Sequence, residues 1–209
     1  MEIEEKFGFR STFFFRPKYD DGSEVDQYQE TMRSLLRERW EVGLHCNNTS
    51  TLEEVAAEKA LLEKAAGQRV YGSRVHYLKV SDNTFCNLAQ SGMKYDSSLC
   101  FNKKQIDIRN TGYLAKNGLF VFPVTFMDAY LFTYMHLTEE TIVPFMSKTI
   151  ENLFASGARI MTLLWHDNSV LMRGGCAYGE LIKHLSTNSD IMFLKGIEAF
   201  ELVTKQAAS

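Results

Sequence analysis

Three short segments decide the reading of this chain: Glu41-Val-Gly-Leu-His-Cys46, Arg74-Val-His-Tyr-Leu78 and Leu163-Leu-Trp-His-Asp167. Each sets a histidine at or just past the end of an apolar, strand-like run. In an α/β fold, side chains leaving the C-terminal ends of parallel strands converge on one rim, where active sites form. Three histidines delivered in that way point to a metal or acid–base site.

Working outward, strand-like and helix-like stretches alternate. Arg10–Arg16 is β-branched and aromatic and reads as a buried strand, its Phe13–Phe15 run as core. Val25, Tyr28, Met32, Leu35 and Leu36 fall on one helical face. Trp40–His45 is the next strand. Ser50 and Glu53 form an S-x-x-E capping box, opening a helix that Gly67 ends after Ala66. Gln68–Leu78 is a third strand region, Asp82–Gln90 a short helix, and Met93–Leu99 and Leu119–Phe126 further strands. Thr138 caps a helix to Ala155, in which Pro144 marks a kink or the true first turn. Ile160–Trp165 is the most hydrophobic strand, Ala177–Leu185 is an amphipathic helix, and the tail from Ile191 is ambiguous. Apolar strands alternating with helices predict a largely parallel sheet covered by helices, in one domain over residues 1–209.

Composition sets limits. The chain has 209 residues, 45% hydrophobic and 23% charged, enough for one sizeable core. A net charge of −3 gives no electrostatic footprint for nucleic acid. Four cysteines without a CxxC pair read as packed, reduced thiols of a cytoplasmic protein. No apolar run reaches membrane-spanning length, and the N-terminus lacks signal-peptide features. No GxGxxG, GxxxxGK[ST] or GxSxG is present, which lowers the case for an α/β enzyme of another class.

In order, Phe9-Arg-Ser-Thr-Phe-Phe-Phe15, Glu41-Val-Gly-Leu-His45, Gly72-Ser-Arg74, Gly92-Met-Lys-Tyr-Asp-Ser-Ser98 and Leu164-Trp-His166 resemble the segments of the polysaccharide deacetylases. These NodB-type carbohydrate esterases have a distorted, partly open (β/α) barrel. The resemblance spans roughly residues 5 to 170 and looks closest to a branch with GLH…N, R-x-H-Y and WH motifs, some members of which serve surface-polysaccharide or O-antigen synthesis. It implies metal-assisted removal of an acetyl group from an N-acetylated carbohydrate or nucleotide sugar. A divalent ion, usually zinc, is held by one Asp and two His, a second Asp is the base, and a late His protonates the leaving amine.

Carried over residue by residue, the resemblance makes His45 the first metal histidine. Thr49 stands where the second belongs, so His76 is the expected replacement, with Asn48 as a weaker oxygen ligand or substrate contact. Arg74 would orient the catalytic carboxylate and His166 would be the acid. Leu164 would line the acetyl pocket, and Trp165, Tyr77 and Asp128 would also meet substrate. The family's first motif, Thr-Phe-Asp-Asp, has no counterpart before the first strand, so the chain is expected to lack its first βα unit and to be impaired. Its first strand then becomes a sheet edge that invites homo-oligomers. Tyr19-Asp20-Asp21-Gly22 has the letters of the missing motif but follows that strand and reads as a turn. A non-catalytic carbohydrate-binding or scaffold protein is the alternative.

Simpler readings stand beside these. Asp128 reads first as a helix N-cap, and Asp96 serves equally as a turn residue. His136 and His184 read as solvent-facing helix flanks, and Glu53, Glu54, Glu58 and Glu63 as a solvated helix face.

Overall fold

Parallel pairing dictates the arrangement of the strands. The computed structural model describes residues 1–170 and 174–207. The chain divides into two compact units, Arg10–Ser98 with Leu114–Val121 and Phe193–Ser209, and Met1–Phe9 with Leu99–Tyr113 and Phe122–Met192. In chain order the elements are α1 (Glu2–Lys6), β1 (Thr12–Phe15), α2 (Gln29–Arg37), β2 (Glu41–Cys46), α3 (Leu52–Ala66), β3 (Gly72–Val75), α4 (Thr84–Gln90) and β4 (Tyr95–Asp96). They continue as β5 (Leu114–Lys116), β6 (Leu119–Val121), β7 (Val124–Met127), α5 (Asp128–Thr133), α6 (Glu139–Ala155), β8 (Thr162–Leu164), α7 (Asp167–Val170), α8 (Gly174–Ser186) and α9 (Gly196–Ala207). Among the described residues no helix is long and apolar enough to cross a membrane.

The first unit holds a six-stranded sheet in the order β1-β2-β3-β4-β6-β5. The pairs β1–β2, β2–β3, β3–β4 and β4–β6 are parallel, and only β5–β6 is antiparallel. Parallel neighbours require a crossover, and α2, α3 and α4 supply those of the first three pairs. Val42, Leu44, Cys46, Val75 and Tyr95 on the strands, with Met32, Leu35, Val55, Leu62 and Leu88 on the helices, are buried. This is the α/β class that the alternation predicts.

Two expectations shift by small amounts for local reasons. The capping box forms at Thr51 and Glu54, one residue beyond Ser50 and Glu53, because Ser50 donates to the Asn48 side chain instead. Gly67 ends α3 in the left-handed region, φ 76°, as expected of a C′ glycine. The Leu119–Phe126 run is two strands in two sheets, β6 and β7. Between them Pro123 has no N–H to give a ladder. The β5–β6 hairpin, absent from the periodicity, turns on Asn117-Gly118, both at positive φ as a two-residue primed turn demands. Pro144 lies inside α6, which runs on through it from a Thr138–Thr141 cap.

β1 is an edge strand, and Phe13, Phe14 and Phe15 are half-buried rather than core. Phe13 meets Trp40 edge to face and Phe14 lies under Arg74. In the other unit β7 and β8 pair in parallel, with α6 and α8 packed together.

A buried carboxylate ties the first unit together. Glu41, opening β2, accepts from the Thr12 hydroxyl of β1 at 2.6 Å, the Tyr95 hydroxyl of β4 at 2.9 Å and the Ile197 N–H of α9 at 3.0 Å. Thr12 in turn accepts from Gly196 N–H at 2.9 Å, so two side chains cap α9. The fully buried Tyr95 ring fits because Gly72 and Gly196 carry no Cβ. An added Cβ would come within 2.2 Å of it at Gly72 and 2.1 Å at Gly196. Gly72→Ala should therefore lower unfolding stability by about 1–3 kcal/mol, read by urea denaturation. An unchanged midpoint would show that Tyr95 can move aside.

Candidate functional site

β2 and β3 pair in parallel with His45 opposite Arg74 and Cys46 opposite Val75, so both chains leave the sheet at the same end. Directly beyond β3 the chain enters a 3-10 turn, His76–Leu78. That turn brings His76 Nδ1 to 3.0 Å from His45 Nε2, one ring donating to the other. Burial first, then the nearby Arg16 charge, lower the His76 pKa, favouring its neutral form. His76 Nε2 is buried and has no partner among the described residues. The Tyr77 ring lies 3.9 Å from the His76 ring and is 64% exposed. Tyr77 and Leu78 both have positive φ, 56° and 52°, a strained conformation for non-glycine residues.

The distance between the two imidazoles suits two nitrogens on one zinc, given Zn–N bonds of about 2.0–2.1 Å. The donor count does not. No group of three or more His, Cys, Asp or Glu able to hold a metal occurs among the described residues. Thr49, at the expected second-histidine position, is turned inward, its hydroxyl 2.8 Å from the buried Thr84 hydroxyl. Asn48 is already committed: it donates to Glu54 of α3 at 2.6 Å and accepts from Ser50. Asp20 is held by a bidentate pair with Arg16 at 2.8 and 3.0 Å, and Asp21 by Ser23. Those two form the turn that the Tyr19–Gly22 stretch predicts, and hydrogen bonds hold both carboxyls below their ordinary value. The described residues thus fall one ligand short of a hydrolytic zinc site, and two imidazole ligands would leave the ion's charge unbalanced.

Arg74 donates to Ser97 through Nε and Nη2, both at 3.0 Å, and its guanidinium lies 4.5 Å from the Phe14 ring. Burial lowers its pKa to about 10, which leaves it charged at neutral pH. The neighbouring carboxylate, Asp96, is fully buried and accepts from Ser73, from the Ser98 hydroxyl and from the Ser98 N–H, all within 2.9 Å. Asp96 is therefore the acceptor that organises the Ser97-Ser98 turn beneath Arg74.

In the other unit the parallel β7–β8 pair places Asp128, first residue of α5, beside His166, just past β8. His166 Nδ1 donates to Asp128 Oδ1 at 2.6 Å and its backbone N–H to Oδ2 at 2.9 Å. The Asp128 side chain is 1% exposed and that of His166 is 43% exposed. Burial disfavours the Asp128 charge, but donors from the His166 ring, Ser169 and the His166 backbone outweigh it and hold the carboxyl below its ordinary value. Asp128 is not the N-cap of α5, a position Met127 occupies. An aspartate that fixes Nδ1 sets the imidazole's orientation and leaves Nε2 for proton transfer.

Leu164 is buried in β8. Trp165 is wedged between Phe132 of α5 and Tyr178 of α8, and Tyr178 donates to Glu4 of α1. His136 and His184 are exposed, as expected. The solvated face read for α3 is a correction: Glu54 caps the helix, Glu63 accepts from Val70 N–H, and Glu58 is half-buried against the β2–α3 loop. Glu54 and Glu58 are four apart, on one side of the helix pointing back along it, which was the available signal. All four cysteines are free.

No protein-family model matches this chain, and no curated protein sequence does. Solved structures do. A protein assigned as a polysaccharide deacetylase from Mycobacterium smegmatis superposes with a TM-score of 0.76 at 20% identity, over 99% of this chain and 76% of that one. The PuuE allantoinase gives 0.72 at 14% identity, over 96% of this chain and 69% of the other. A mutant of the peptidoglycan deacetylase PdaC from Bacillus subtilis gives 0.56 at 21%, over 99% and 83%. These likenesses establish the fold as the one polysaccharide deacetylase structures share.

The buried carboxyl at Asp96 has a raised pKa, about 6, chiefly through burial. A raised acid stabilises the folded state fully below its unfolded value, and that stability is lost as pH rises through the folded value. An amide at this position does not titrate. Asp96→Asn should therefore gain about 1 kcal/mol on the unsubstituted chain between pH 5 and pH 8, measured by denaturant unfolding at both. A stability difference independent of pH would contradict the buried carboxyl.

Proposed function

We propose that this chain is a carbohydrate-directed hydrolase of the polysaccharide deacetylase type. Its substrate would be an N-acetylated sugar, polysaccharide or nucleotide sugar of the kind used in cytoplasmic surface-polysaccharide or O-antigen synthesis. One unit carries the carboxylate-held imidazole Asp128–His166, and the other carries the His45–His76 pair, which is short of a metal ligand. The observation that carries the reading is the Asp128–His166 pair. A buried carboxylate holds a half-exposed imidazole by Nδ1, at the end of the Leu164-Trp-His166 segment.

Amide cleavage expels an amine, a poor leaving group unless it is protonated as the bond breaks. A positioned acid supplies about 10²–10⁴ in rate. In this reading His166 Nε2 delivers that proton, and Asp128, accepting from Nδ1, fixes the ring's orientation. Arg74, charged and set over the Ser97 turn, offers an electrostatic anchor for polar substrate groups. Tyr77, with 64% of its surface open, offers a ring for the apolar face of a sugar. Leu164 and Trp165 stand as supporting contacts. A divalent ion, zinc foremost, would supply Lewis-acid activation when bound, and His45 and His76 would be the nitrogens nearest to it. With those two alone it would be weakly held.

A second reading has its own observation. Thr49 faces the core and only two nitrogens face each other at His45 and His76, which favours a carbohydrate-binding member of this fold without turnover.

Acetate release from N-acetylated oligosaccharides and nucleotide sugars, with zinc added, separates the two. The hydrolase reading expects slow release that His166→Ala reduces about 10²–10⁴-fold, and zinc content well below one per chain after dialysis. Saturable sugar binding with no acetate release would support the second reading. Release unaffected by His166→Ala would overturn the assignment of the acid.

A further inference from the structure

We propose that Glu58 is a positioning residue that holds the His45–His76 pair together from α3. β2 ends at Cys46, and β3, its neighbour, turns away into the 3-10 segment after Val75. The N–H groups of Asn47 and Asn48 therefore have no ladder partner, and backbone donors in a half-buried loop must be answered from elsewhere. Glu58, on the second turn of α3, answers both. Its Oε2 accepts from Asn47 N–H at 2.7 Å and its Oε1 from Asn48 N–H at 3.2 Å. One carboxylate thus spans two successive donors, and hydrogen bonds to an ionised acceptor are stronger than neutral ones.

The consequences spread from that grip. With its backbone fixed, Asn47 accepts from Arg16 Nε at 2.7 Å and donates to the Lys18 carbonyl at 3.0 Å, which secures the loop leaving β1. Asn48 bonds Glu54 and Ser50, and the Cys46 thiol donates to the Asn48 carbonyl at 3.1 Å. Thr49 is then carried to Thr84, and its carbonyl accepts from Asn87 of α4. His45 lies two residues before the first gripped N–H, on the strand whose end this loop terminates. Its ring nitrogen must stay within hydrogen-bond reach of a residue 31 positions away. Glu58 keeps its grip although burial raises its carboxyl pKa, because the donors around it favour the charged form.

A helix–loop staple with no bearing on the imidazoles would account for the same two hydrogen bonds, so the test reads the imidazoles themselves. Nitrogen-15 NMR of the full chain detects scalar coupling across the hydrogen bond joining His45 Nε2 to His76 Nδ1. Glu58→Gln keeps one acceptor but sets an amide N–H₂ against a backbone N–H. Glu58→Asp keeps the charge and loses the reach. Circular dichroism identifies which variants are folded. The expected result is loss of the coupling in each folded variant, while Glu53→Gln, an exposed neighbour, retains it. Coupling that persists in a folded Glu58→Gln or Glu58→Asp chain overturns the proposal. The readout is independent of any sugar, so it stands or falls separately from the hydrolase reading.

Discussion

A carboxylate taken out of water must be met by hydrogen-bond donors, and this chain uses that demand to hold itself in shape. In the unit built on the six-stranded sheet, Glu41 gathers β1, β2, β4 and α9 around one pair of oxygens. Asp96 closes the turn after β4, and Glu58 closes the loop after β2. In the other unit Asp128 does the same for the segment after β8. Three of these four acids, Asp96, Glu58 and Asp128, serve the ends of parallel strands, where an unpaired backbone needs an answer and where chemistry-bearing side chains are presented.

The scaffold was legible where one force dominates. Apolar runs located β2 and β8, β3 proved to be the short Gly72–Val75 part of the longer Gln68–Leu78 region, and the capping signals located α3 and α6 to within a residue or two. Parallel strands must exit on one side, so the meeting of His45 and His76 was readable once both were placed at strand ends. β5 was not, because Leu114–Lys116 are exposed and carry no core-facing pattern. Its signal was the turn, Asn117-Gly118. β6 and β7 read as one run because hydrophobicity continues across Pro123, where the missing N–H marked the break.

The acids were the least legible part. Glu58 sits in an Ala/Glu/Lys-rich helix whose charge pattern matches an open face, and Asp128 follows a buried strand where an N-cap is common. What each does depends on a partner loop or strand end that spacing alone does not locate: ten residues back for Glu58, 38 ahead for Asp128. Thr49 is the reverse case. It stands at a position where the resemblance expects a ligand, yet a threonine gains more from the Thr84 hydroxyl in the core than from solvent at the rim.

The account turns on Asp128 holding His166 by Nδ1 so that Nε2 is left for a proton. Ring nitrogen-15 chemical shifts of His166, recorded at a pH where the imidazole is neutral, test this directly. The account predicts protonated Nδ1 and unprotonated Nε2, with Asp128→Asn altering that preference. A His166 ring with its proton on Nε2, or a tautomer balance untouched by Asp128→Asn, would contradict it.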